Sequence, residues 1–163
     1  MSVKSLTLMG FLFIIASCAS KAPSSLTQTL LFEDAVKTES NPKRLASHQA
    51  VIQGRKEALH YRYERAAQEF SKAIEIDPEN PYAYFYFAEV RSKVQRFEEA
   101  VELYSQAANY FTNNPKWKSQ ALTLRGEILE SMTDYEKAKQ SYQLALKVFS
   151  GNVRAKQGIV RLK

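Results

Sequence analysis

The chain has 163 residues, 45% apolar and 25% charged, with five Gly, five Pro and a formal net charge of +6. That composition suits one small globular domain. The single cysteine excludes an internal disulfide framework and a cysteine-based zinc cluster. The two histidines, His48 and His60, have no ligand-spaced partner, and the basic excess is spread along the chain rather than gathered in a stripe. A nucleic-acid-binding face is therefore not expected. Few turn residues and many Ala, Glu, Lys, Gln and Leu predict an all-α architecture. The sequence holds no phosphate loop, H-E-x-x-H, G-x-S-x-G or calcium-loop string. Acidic pairs such as Glu98-Glu99, or Glu127 with Glu130, read as solvated helical faces. No enzymatic activity, metal or cofactor is expected.

At the start of the chain Lys4 precedes an apolar run over residues 6–15 (LTLMGFLFII). The run is too short to cross ~30 Å of hydrocarbon as a permanent helix. Followed by Ala16 and Ser17, it reads as a secretory signal that is removed. Ile15-Ala16-Ser17-Cys18 resembles the lipobox of bacterial lipoproteins. The resemblance implies a signal peptide over 1–17 and acylation (palmitate) of Cys18, which becomes the first mature residue and a membrane anchor. Stable anchoring takes two lipid signals, which that acylation would supply. Ala19, rather than Asp, implies export to the outer membrane in the sorting pattern of many Gram-negative bacteria, placing the protein on its periplasmic face. Residues 18–40 then form the lipidated N-terminus and tether. Ser20, Lys21, Pro23, Ser24 and Ser25 make a polar leash, and residues 26–36 (LTQTLLFEDAV) predict a short amphipathic helix. So short a helix is marginal alone in water, so it is expected to pack on the domain; the membrane surface and a groove are the alternatives.

Further on, Ala66, Phe70, Ala73 and Ile74 form one apolar stripe on a helix. Asp77-Pro78 stops that helix, and Asn80-Pro81 caps the next. The triplet recurs as Ala100, Tyr104, Ala107 and as Ala138, Tyr142, Ala145, at spacings of 34 and 38 residues. Three residues ahead of each first alanine stand Tyr63, Phe97 and Tyr135. Twelve residues ahead stand Gly54, Ala88 and Gly126, small enough for close packing of a second helix. Such periods signal a helical solenoid. Asn-Pro also occurs at 41–42 and 114–115. The third unit's four extra residues are close to one turn, and so predict a longer helix rather than a longer loop. Trp117 is expected to pack near Tyr110 and Phe111. Ser150-Gly151 predicts a helix stop with Gly151 left-handed. Residues 151–163 predict a capping helix over the last apolar face.

These strings resemble the tetratricopeptide repeat (TPR), whose pattern is W-x2-L-G-x2-Y, then A-x3-F, then P. The resemblance covers about residues 47–150. It implies a right-handed α-solenoid of three helix pairs (about 47–80, 81–114 and 115–150, within 41–150) plus the C-terminal capping helix. Repeat one departs from the pattern, with Ala50, Gln53 and Glu57 at the first-helix positions. Tyr61, Gln95 and Thr133 replace the usual turn glycine; similar geometry is expected, with strain at Tyr61.

TPR domains generally hold a peptide or partner helix on their concave face. Groove positions carried over from the family are Val51 and Arg55, with His48, Ala58 and Leu59, in repeat one. Repeat two supplies Tyr82, Phe85, Glu89 and Lys93; repeat three supplies Thr123 and Glu127, with Gln120 and Glu130. The Lys/Asn/Arg clamp with which TPR co-chaperones grip acidic C-termini would fall at Val51, Tyr82, Phe85 and Thr123, so it is not expected. Those side chains favour an apolar or aromatic segment, oriented by Arg55, Glu89 and Lys93. The resemblance thus implies a membrane-anchored adaptor or scaffold that binds a peptide or partner protein in the cell envelope. Small TPR lipoproteins that help assemble pili or secretin pores, or recruit cell-wall enzymes, are of this kind. The alternative is a self-associating structural envelope lipoprotein.

Overall fold

Asparagine-proline pairs open three of the helices, and the reason is local. In the computed structural model, which describes residues 32–163, the Asn41, Asn80 and Asn114 side chains each accept backbone N–H bonds from the first turn they precede. Proline at the first helical position gives up no ladder bond there. After a helical stretch over 32–38 come α1 (Pro42–Leu59), α2 (Tyr63–Ile76), α3 (Pro81–Lys93), α4 (Phe97–Tyr110), α5 (Pro115–Ser131), α6 (Tyr135–Val148) and α7 (Val153–Arg161). Consecutive helices pack on one another, and α1 also meets α3 as α5 meets α7. The described residues form an all-α helical solenoid of stacked helix pairs. Among the described residues no helix is long and apolar enough to cross a membrane.

The nine stripe residues (Ala66, Phe70, Ala73; Ala100, Tyr104, Ala107; Ala138, Tyr142, Ala145) are all buried, as is Ala88. Within a pair the aromatic presses on a small residue. A Cβ on Gly54 would sit 2.6 Å from Phe70 Cε1, and one on Gly126 would sit 2.7 Å from Tyr142 Cε1. The third unit's extra residues do lie in a helix, since α5 has 17 residues where α3 has 13.

A polar relay joins one pair to the next. The Ser47 hydroxyl donates to Ala73 O at 2.7 Å and accepts from Asn80 Nδ2 at 2.8 Å. Ser119, Ala145 and Asn152 repeat the arrangement at 2.8 Å each. Both relays are buried, where an unpaired polar group would be costly. In the middle repeat Pro81 stands in the serine's place, so the relay is missing there. Because Asn152 does for α7 what Asn80 does for α3, the terminal helix is built as the first helix of a further repeat. Arg154 pairs with Glu127, Arg161 pairs with Glu130, and the Tyr142 hydroxyl donates to Glu130 at 2.7 Å. These contacts tie α7 onto the last pair.

The three turns without glycine keep the glycine conformation. Tyr61, Gln95 and Thr133 have φ of 60°, 61° and 62°. Each turn closes with two crossed backbone bonds: at the third, Asp134 N–H donates to Leu129 O (2.9 Å) and Thr133 N–H to Glu130 O (3.0 Å). This is the Schellman arrangement. Strain is thus shared by all three turns rather than confined to Tyr61, and it falls hardest on the β-branched Thr133. The left-handed region costs an L-residue roughly 1–2 kcal/mol, part of which glycine loses again through its freer unfolded state. Thr133→Gly is therefore expected to raise stability by about 0.5–1 kcal/mol, read as a shift of the urea midpoint at constant slope.

Two expectations need correction. Gly151 is not left-handed, since no glycine among the described residues has positive φ. Instead α6 ends on an extended Phe149 (φ −146°, ψ 96°), and Asn152 starts α7 at once, leaving no room for a glycine-type C-cap. Trp117 is buried and stacks on Phe111 with centroids 5.6 Å apart, as expected. Tyr110 is not its neighbour but stacks on Tyr84 at 5.4 Å.

Candidate functional site: a cleft on the inner face

The inner-face positions divide into two groups. Val51, Phe85 and Thr123 are wholly buried and Tyr82 is 7% exposed. These four are core residues in this structure, not a partner-binding surface, and the expectation for them is corrected. The cause lies partly in α5. Its first turn carries Trp117 over α3, with ring centroids 5.2 Å from Tyr82 and 4.9 Å from Phe85. Phe32 covers Tyr82 from another side at 4.8 Å. Thr123 donates to Ser119 O and accepts from Asn152 Nδ2, both at 2.8 Å, so its hydroxyl is spent within the fold.

The second group comes together on one surface. Arg55, Glu89, Lys93 and Glu127 line one cleft of about 840 Å³. Its floor is apolar, formed by Phe70, Tyr86, Val90, Tyr104, Leu124 and Ile128. Leu59 and Tyr61 stand at its edge, 78% and 80% exposed. Of the other positions considered, Ala58 also lines the cleft, and Glu130 belongs to the adjoining surface with Arg161. His48 is buried away from it.

Arg154 was not foreseen and completes the rim. Its guanidinium binds Glu127 through Nε and Nη2. A signal was available: Arg154 stands two residues beyond Asn152, as Tyr82 stands two beyond Asn80. Reading α7 only as a cap concealed that register.

Charge on the rim is mixed. Arg55 lies over the Tyr86 ring at 4.6 Å, a cation–π distance. Arg55, Lys93 and Arg154 all act on Glu89 and favour its charged form, but burial outweighs them and pushes its carboxyl up to about 7. Burial likewise raises Tyr86 and Tyr104, at the base of the cleft, well above the usual phenol range. A carboxyl raised on folding favours the folded state most below its unfolded value of about 4.5, and that benefit is lost as pH rises through about 7. Glu89→Gln is expected to remove this loss and to be more stable than wild type by about 1–3 kcal/mol at pH 8. The difference should shrink towards pH 5. Urea titrations of both proteins across that range measure it.

Metal-ligating residues do not gather here, and among the described residues no group of three or more His, Cys, Asp and Glu could hold a metal ion. The signal peptide, the Cys18 lipidation site and the leash lie outside the described residues.

Helix pairs in phase with one inner cleft define a helical-repeat protein. Two tetratricopeptide repeat family models match the chain, one over residues 58–123 and the other over 119–152. The chain belongs to the tetratricopeptide repeat family. No curated protein sequence matches it. The N-terminal domain of stress-induced protein-1 (STI-1) from C. elegans superposes with a TM-score of 0.70 at 24% identity, covering 76% of this chain and 98% of that one. The first TPR domain of Spaghetti (RPAP3), bound to an HSP90 peptide, gives 0.64 at 21% identity, covering 71% and 89%. The Yersinia enterocolitica type III secretion chaperone SycD, in complex with a peptide of the translocator YopD, gives 0.62 at 15% identity, covering 70% and 89%. At these identities the likeness shows the fold.

Proposed function

We propose that the chain is a membrane-anchored, non-enzymatic TPR adaptor that binds a segment of a partner protein in the cell envelope. One observation carries the reading: the inner-face cleft pairs an apolar floor with a rim of both charge signs. An apolar anchor on the floor would supply affinity, while Arg55, Lys93, Arg154, Glu89 and Glu127 would set orientation and partner choice. The RPAP3 and SycD domains, each solved with a peptide, support a peptide-type partner. The lipobox-like Ile15-Ala16-Ser17-Cys18 supports the anchor, and Ala19 supports the outer membrane. Assembly of a pilus, a secretin or the cell-wall machinery is the setting in which such an adaptor would act.

Each half has its own test. Wild type should pellet with membranes and Cys18→Ser should not; wild type in the soluble fraction contradicts the anchor. Proteins crosslinked to the anchored wild type should be lost in Lys93→Glu with the melting temperature unchanged. An unchanged set of partners contradicts the cleft.

A further inference from the structure

One end of the inner groove is already filled by the chain itself. Phe32 is wholly buried although the residues after it, Glu33 and Asp34, are exposed. Its ring lies 4.8 Å from Tyr82, 5.5 Å from Tyr86 and 5.5 Å from His48. The Arg55 guanidinium sits 5.3 Å over its face. Tyr86 and Arg55 also line the cleft, so the Phe32 socket continues it. Beyond Phe32, only Ala35 and Val36 of this stretch pack against the core, both partly buried. A helical stretch this short does not persist without its contacts.

We propose that Phe32 is an exchangeable, built-in occupant of the groove, and that a partner segment bearing an aromatic side chain takes its socket and displaces residues 32–38. This rests on the adaptor reading and names the partner's chemistry: an aromatic anchor that lies beneath the Arg55 guanidinium, as Phe32 does. Partner binding then frees residues 32–38 from the domain.

The test uses the detergent-solubilised full chain and a fluorescein-labelled peptide with the sequence of residues 26–38. By fluorescence anisotropy the peptide should bind the Phe32→Ala protein at least about tenfold more tightly than wild type, the scale expected for one buried aromatic side chain. The same peptide with Ala for Phe should show no such preference. Equal affinity for the two proteins, or no binding to Phe32→Ala, overturns the proposal. So does loss of the helical circular dichroism in Phe32→Ala, because an occupant that can leave must leave a folded domain behind. The crosslinking assay separates this inference from the adaptor reading. Partner capture lost in Lys93→Glu yet unchanged in Phe32→Ala would sink the exchange alone.

Discussion

Phe85→Ala is expected to lower the unfolding free energy by about 3–5 kcal/mol, the usual cost of truncating a buried phenylalanine. Phe85 is wholly buried, with ring centroids 4.9 Å from Trp117, 5.4 Å from Tyr86 and 5.6 Å from Tyr104. The cavity opens where α3, α4 and the first turn of α5 meet, so three helices lose a common contact. Against a typical total of about 5–15 kcal/mol, that is a large fraction. The sole tryptophan beside it provides the probe, since its emission should shift to the red as water gains access. A loss below about 1 kcal/mol would mean that Phe85 is a surface residue after all. Family register alone places it on the binding face; packing decides otherwise.

The second large effect concerns Tyr142, which is held between two glycines. A Cβ on Gly126 would lie 2.7 Å from Cε1, and one on Gly158 would lie 2.5 Å from Cε2. Neither methyl can be accommodated by moving the ring, because that drives it into the other helix. The hydroxyl is also held, by its bond to Glu130. Gly126→Ala and Gly158→Ala are each expected to cost about 1–3 kcal/mol through overpacking. In Gly158→Ala the damage should concentrate on α7, whose amides should lose hydrogen-exchange protection before those of α1 to α5. Because both changes act on one ring, the double variant should depart from additivity. Additive losses would show that the ring relaxes independently towards each helix.

The repeat was legible because its determinants are local. Ala-x3-aromatic-x2-Ala with a small residue twelve positions earlier specifies a helix pair, and asparagine before proline specifies where the next begins. The turn geometry at Tyr61, Gln95 and Thr133 followed from register even without glycine. The extra four residues of the third unit followed from the helical period. The site was half legible, and the division has a physical cause. Charged inner-face residues such as Arg55, Lys93 and Glu127 line the cleft where the helix register puts them. Tyr82 and Phe85 are exposed or buried according to what lies across from them. That depends on Trp117, brought in by the longer α5, and on Phe32, some fifty residues away in sequence. Neither contact leaves a periodic trace. Arg154 was overlooked because α7 was expected to cap the solenoid, when Asn152 shows that it also continues it.

Partners are proposed to enter by the cleft. A photo-crosslinking amino acid placed at Lys93 in the cleft, and separately at Gln143, exposed on α6 and outside it, tests this in the cell. A crosslinked partner is expected from position 93 and none from position 143. Equal crosslinking from both, or crosslinking from position 143 alone, would contradict it.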